Sequence, residues 1–79
     1  MAKVIMIHTD WHLIIGQVYQ GIRALNGEWL EDQRYRVVAR SSASQYVEYV
    51  VSMGFDRASI ERMVKVAGRS RCYYEIQTD

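Results

Sequence analysis

Proline is absent from these 79 residues, which removes the usual marker of loops and helix starts. The turning is left to glycines: Gly16, Gly21, Gly27, Gly54 and Gly68. There is one cysteine, Cys72, so no internal disulfide can form and a reducing, intracellular setting is expected. An excess of one charge sign is missing too. A formal net charge of +1 is too balanced for a protein whose affinity comes from blanketing phosphates. No apolar run reaches the about 18 residues of a membrane span, and no basic leader precedes an apolar core, so neither spanning nor secretion is expected. The chain holds one phenylalanine but six tyrosines and two tryptophans, more amphipathic aromatics than a small core needs. Such residues dominate protein interfaces.

With 49% hydrophobic and 24% charged residues, the chain fits a single globular domain over residues 1–79 and not a disordered tail. Its most legible stretch runs from Ser41 to Gly68. Ser42 and Gln45 have the spacing of a capping box. Tyr46, Val47, Val50, Val51 and Met53 then recur at helical spacing. Gly54 can end that helix and Asp56 can cap a second one. Ile60, Met63, Val64 and Ala67 supply the second apolar stripe, Glu61 and Lys65 an i,i+4 pair, and Gly68 the stop. Two short helices of this kind need a surface to lie on.

That surface reads as a sheet. Lys3 to Thr9 is rich in β-branched residues with apolar groups on both faces, predicting a central or half-covered strand. Thr9, Asp10 and Trp11 break it with a turn. His12 to Arg23 reads as a strand, because a helix would hold Gly16 and Gly21 in its interior; Gly21 marks a bulge or bend. Asn26-Gly27 is a hairpin signal with Arg23-Ala24-Leu25 and Glu28-Trp29-Leu30 pairing across it. Glu31-Asp32-Gln33 reads as a second turn. In Arg34 to Arg40, Tyr35, Val37 and Ala39 alternate with Arg34, Arg36, Val38 and Arg40, giving one basic face. Ser70 to Gln77 closes the chain as a strand with Cys72, Tyr74 and Ile76 inward and Arg71, Tyr73, Glu75 and Gln77 outward. The expected fold is α+β: a mostly antiparallel sheet of four to five strands, covered on one face by two antiparallel helices and open on the other, in the order β-β-β-β-α-α-β.

Candidate chemistry is sparse. His8 and His12 stand four apart near Asp10, but no third ligand accompanies them, and zinc takes three or four; no metal or cofactor is expected. Cys72 with a histidine would make a nucleophile and base, yet on an inward strand face a cysteine behaves as a small hydrophobe. Glu28, Glu31 and Asp32 form an acidic corner, read as solvated or as a contact for a basic partner. Arg34, Arg36 and Arg40, joined by Arg71 and Tyr73, form a basic face with aromatics, as on single-stranded nucleic-acid platforms. Neither signature motif of the common RNA-binding sheet is present. No catalytic constellation can be assembled, so the protein is not expected to be an enzyme.

Lys3-Val4-Ile5, the region from Thr9 to His12-Leu13, Val18-Tyr19, and Val38-Ala39-Arg40 leading into Ser44-Gln45 and a helical segment with Ile60-Glu61 and Met63 resemble a family of small phage-encoded anti-CRISPR inhibitors. That family blocks the type I-F surveillance complex (Cascade) by binding its backbone subunits. The resemblance covers roughly residues 1–67. It implies a phage protein in the bacterial host cytoplasm that contacts a Cas subunit with sheet-face tyrosines and an acidic residue. Tyr19 falls where one such tyrosine stands, and Glu28 or Glu31 fills the acidic role. Met6 stands where another tyrosine would be, and Ser70 to Gln77 has no counterpart, which leaves the CRISPR subtype open. The expected partner-binding residues are Tyr19, Glu28, Trp29, Glu31, Arg36 and Tyr73. The expected function is non-enzymatic binding of a type I surveillance complex that blocks target-DNA recognition; the alternative is a small nucleic-acid-binding module using the basic sheet face. An open sheet or free edge strand also allows pairing with a second copy.

Overall fold

The structure, a computed structural model, describes the backbone of residues 4–23 and 29–78, and their side chains outside 21–23 and 29–33. Among the described residues, strands β1 (Val4–Thr9), β2 (Val18–Arg23), β3 (Trp29–Ser41) and β4 (Cys72–Thr78) form one antiparallel sheet in the spatial order β1-β4-β3-β2. Helices α1 (Ala43–Ser52) and α2 (Arg57–Ala67) fall between β3 and β4 in the chain. The α+β class and the two helices are as the sequence leads one to expect. The separate strands anticipated around Trp29 and from Arg34 are one element, however. Glu31-Asp32-Gln33 does not turn; it lies within β3, where pairing to β2 shifts register opposite Gly21. β2 pairs with β3 on both sides of this polar run, at Leu30 and at Arg34, and residues 31–33 themselves form the irregularity, with no directly opposed partner. The Asn26-Gly27 turn and Glu28 lie outside the described residues.

The helices begin and end by local chemistry. Ser42 Oγ accepts from the Gln45 amide at 3.1 Å while Gln45 Oε1 accepts from the Ser42 amide at 2.8 Å, which completes the capping box. Asp56 accepts from the Ser59 amide at 3.0 Å and caps α2. Gly54 and Gly68 follow the two helices at φ values of 99° and 57°, where a side chain would be strained. Met53, expected on the apolar stripe, instead closes α1 and is exposed. The i,i+4 partner the structure gives Glu61 is Arg57, at 3.8 Å, and Arg57 also forks onto Glu48.

β4 sits between β1 and β3, and a core cluster packed on each face of the sheet buries it on both sides. This overturns the outward placement of Tyr73, which is 6% exposed. The helices lie on the Tyr73 face, where Tyr46, Val50 and Tyr73 pack with Met6, Ile60, Met63 and Val64. Cys72, Tyr74 and Ile76 turn the other way and join Ile7, Leu13, Tyr35 and Val37 in a second cluster. That face is therefore not open: Ile7, Val37 and Ile76 are completely buried there. β1 is an edge strand and not a central one; β4 covers its inner edge and both faces carry core residues.

The basic stripe on β3 is divided. β3 pairs with β4 as Arg36↔Gln77 and Val37↔Ile76, then after a register shift as Ala39↔Glu75 and Arg40↔Tyr74. Directly paired residues share a face. Ala39 therefore rotates to the helix side, and Arg40 to the side of Val37 and Tyr74. Arg34 and Arg36 remain on the opposite face from Arg40. A bulge of one residue, at Val38, is enough to break a stripe whose period is two.

Candidate functional site

Residues 10–17 connect β1 to β2, and hydrogen bonds hold their backbone at Trp11, Leu13, Ile14, Gly16 and Gln17. The Trp11 amide donates to Thr9 Oγ1 at 3.2 Å, a local side-chain turn that ends β1. The Leu13 amide donates to the Tyr74 hydroxyl at 3.1 Å, and the Leu13 side chain is buried in the cluster around Ile7 and Val37. The Ile14 amide donates to the Tyr19 hydroxyl at 2.9 Å. Gln17 N donates back to the Ile14 carbonyl at 3.2 Å, closing a turn whose Gly16 has φ 88°. Gly16 N then meets the Val37 carbonyl at 2.7 Å, and Val37 N meets the Gln17 carbonyl at 3.0 Å, which extends the β2–β3 pairing into the loop. Finally Arg36 donates to the Gly16 carbonyl at 3.0 Å.

This backbone presents three large apolar side chains, with the polar Asp10, His12 and Gln17 exposed beside them. Trp11 is 39% exposed, Ile14 61% and Ile15 51%. Sequence reasoning placed Trp11 in a turn and Ile14 and Ile15 in a strand, and did not single the three out as a surface. The signal available was Ile14-Ile15 just before a glycine: adjacent residues of a strand point to opposite faces, so a turn there leaves both without a core to enter. The positive φ of Gly16 ends the strand reading of residues 12–17, and β2 begins only at Val18.

The residues anticipated as a contact surface are distributed differently. Tyr19 and Arg36 do converge on this loop, but as its supports. Tyr19 is half-buried against the cluster of Ile7 and Val37, with its hydroxyl under Ile14, and Arg36 is exposed and holds Gly16. Tyr73 lies beneath the helices, with ring centres 5.3 Å from Tyr46 and 6.4 Å from His8. The backbones of Trp29 and Glu31 belong to β3; their side chains, like the whole of Glu28, lie outside the described residues.

His8 and His12 do not come together. His8 is buried on the helix side, 5.0 Å from the Tyr46 ring. His12 stands on the other side with Nδ1 3.8 Å from the Cys72 sulfur, a neighbour that the sequence could not place there. Cys72 itself is 6% exposed and packed in the apolar cluster, the environment of a structural thiol. Burial pushes the adjacent Tyr74 phenol above its ordinary value, while the Leu13 amide it accepts from acts the other way. Among the described residues no group of three or more histidine, cysteine or acidic side chains is placed to share a metal ion. No helix among the described residues is long and apolar enough to cross a membrane. Comparison with protein-family models, curated proteins and solved structures gives no match.

Proposed function

We propose that this protein acts by occupancy and not by turnover. It is a non-enzymatic inhibitor that seats the loop of residues 10–17 on a partner protein. The partner we propose is a backbone subunit of a type I CRISPR–Cas surveillance complex, bound so that target DNA is no longer recognised. The setting is the cytoplasm of a bacterium infected by phage. The target rests on the resemblance set out above; the mode of action rests on one observation, the exposed Trp11, Ile14 and Ile15 on a backbone held by Tyr19, Tyr74 and Arg36.

The physics favours such a surface. An interface gains most from a few apolar or aromatic anchors that lose water on docking. It loses least when the segment carrying them is already ordered, because association must otherwise freeze it. Here the ordering is done in the free protein. Arg36 and Asp10 at the rim supply charges of both signs that can set orientation. A nucleic-acid platform on the basic sheet face is less well supported, because the bulge at Val38 separates Arg40 from Arg34 and Arg36.

The test is recovery of Cas subunits by tagged protein from lysates containing type I complexes, at low and high salt and with added target DNA. Retention in high salt, with loss in competition with target DNA, is expected. Nucleic acid that comes down alone and washes off with salt would replace this reading with the basic-sheet one.

A further inference from the structure

A second surface lies on the opposite side of the sheet from the Leu13 cluster. Between α2 and the ends of β1 and β4 runs a groove of about 540 Å³, within the size of clefts that hold ligands. Its floor includes His8 and Tyr73, its apolar side Met63 and Val66, and its charged positions Arg62 and Arg71. Val66 is 83% exposed on a helix none of whose residues is fully buried. Among the described residues the ion pairs join Arg57 to Glu48 and Glu61; neither Arg62 nor Arg71 takes part in one. The charge of Arg71 is felt in the groove, where it favours the ionised form of the Tyr73 phenol against the larger effect of burial.

We propose that this groove binds an acidic peptide segment of a partner protein, with a carboxylate at Arg62 and Arg71 and a neighbouring apolar side chain on Met63 and Val66. Arginine holds carboxylates through paired N–H donors, and an uncommitted arginine beside apolar surface favours a ligand that carries both features. Single-stranded nucleic acid fits less well. Its bases need exposed ring faces, and His8 and Tyr73 are 4% and 6% exposed. Two arginines in a protein of net charge +1 also give a phosphate backbone little to follow. This site shares no residue with the loop of residues 10–17, so either proposal can fail while the other stands.

The experiment is selection of a random peptide display library on the intact protein. Enriched peptides are then measured against the wild type, the Arg62→Glu/Arg71→Glu double variant and the loop variant Ile14→Ser. Peptides with Asp or Glu beside Leu, Ile or Phe should dominate. Their affinity should fall at least about tenfold on charge reversal and stay unchanged in Ile14→Ser. Arg62→Ala, at an exposed position, repeats the test if the double variant does not fold. Failure to enrich any peptide, enrichment without acidic residues, or indifference to Arg62 would overturn the proposal. So would an oligothymidylate that displaces the selected peptides and shifts the Met63, Val66 and Arg71 amide resonances itself.

Discussion

Tyr46 is 1% exposed, its ring set between those of His8 and Tyr73 at 5.0 and 5.3 Å. Burial, reinforced by the neighbouring phenols of Tyr73 and Tyr49, pushes its own phenol up to about 12. In the unfolded chain that phenol titrates near about 10, so between these values the unfolded state gives up a proton that the native state keeps. Stability from this residue is therefore full below pH 10 and declines as pH rises toward 12, by about 1.4 kcal/mol per pH unit at most. Tyr73 and Tyr74 are shifted in the same direction and add to the slope. Urea midpoints at pH 8, 10 and 11 should fall progressively, and less steeply in Tyr46→Phe. Equal slopes in the two proteins would mean that Tyr46 ionises as freely in the native state as in the unfolded one. The tyrosines also show what a single residue type conceals in sequence. Tyr46 and Tyr73 serve the helix-side core, Tyr74 and Tyr19 hold a loop through their hydroxyls, and none of the four is mainly solvent-exposed.

Individual elements were legible to the extent that their chemistry is local. The capping box of α1 needs only Ser42 and Gln45, three residues apart, and both of its hydrogen bonds form. Ser42→Ala should lower stability by about 1 kcal/mol. In a domain of this size that is a fall of roughly 4–8 °C in Tm, readable by circular dichroism. An unchanged Tm would show α1 to be held by packing alone. Asp56, Gly54 and Gly68 were readable for the same reason, as was the irregularity at Gly21. What the sequence concealed depends on partners distant in the chain. The burial of Tyr73 follows from the helices packing on its face of the sheet, a placement that β4 itself does not encode. The rotation of Ala39 and Arg40 follows from a bulge that their own alternating pattern does not announce. β3 runs through Glu31-Asp32-Gln33, whose own composition does not favour extension, because β2 pairs with it on both sides of that run, at Leu30 and Arg34. At the candidate site, Tyr19 and Arg36 could be picked out, but their role as supports could not. That role exists only once the loop folds back over them.

As a whole molecule, the protein is a sheet with a core on each side: two helices over Tyr73, and the Leu13 loop with tyrosine rings around Ile7, Val37 and Ile76. The arrangement leaves an apolar loop at one place and an arginine-lined groove at another, each built on backbone that the fold already orders. Binding by the loop is the claim on which the functional proposal stands. The most direct measurement is a calorimetric titration of purified type I surveillance complexes, I-F and the other subtypes, with the wild-type protein and with the Ile14→Ser/Ile15→Ser variant. Both side chains are more than half exposed, so the variant should keep its melting temperature. Saturable binding by the wild type, weakened at least about tenfold in the variant, is the predicted result. Equal binding by both proteins, or no binding by the wild type, would contradict it.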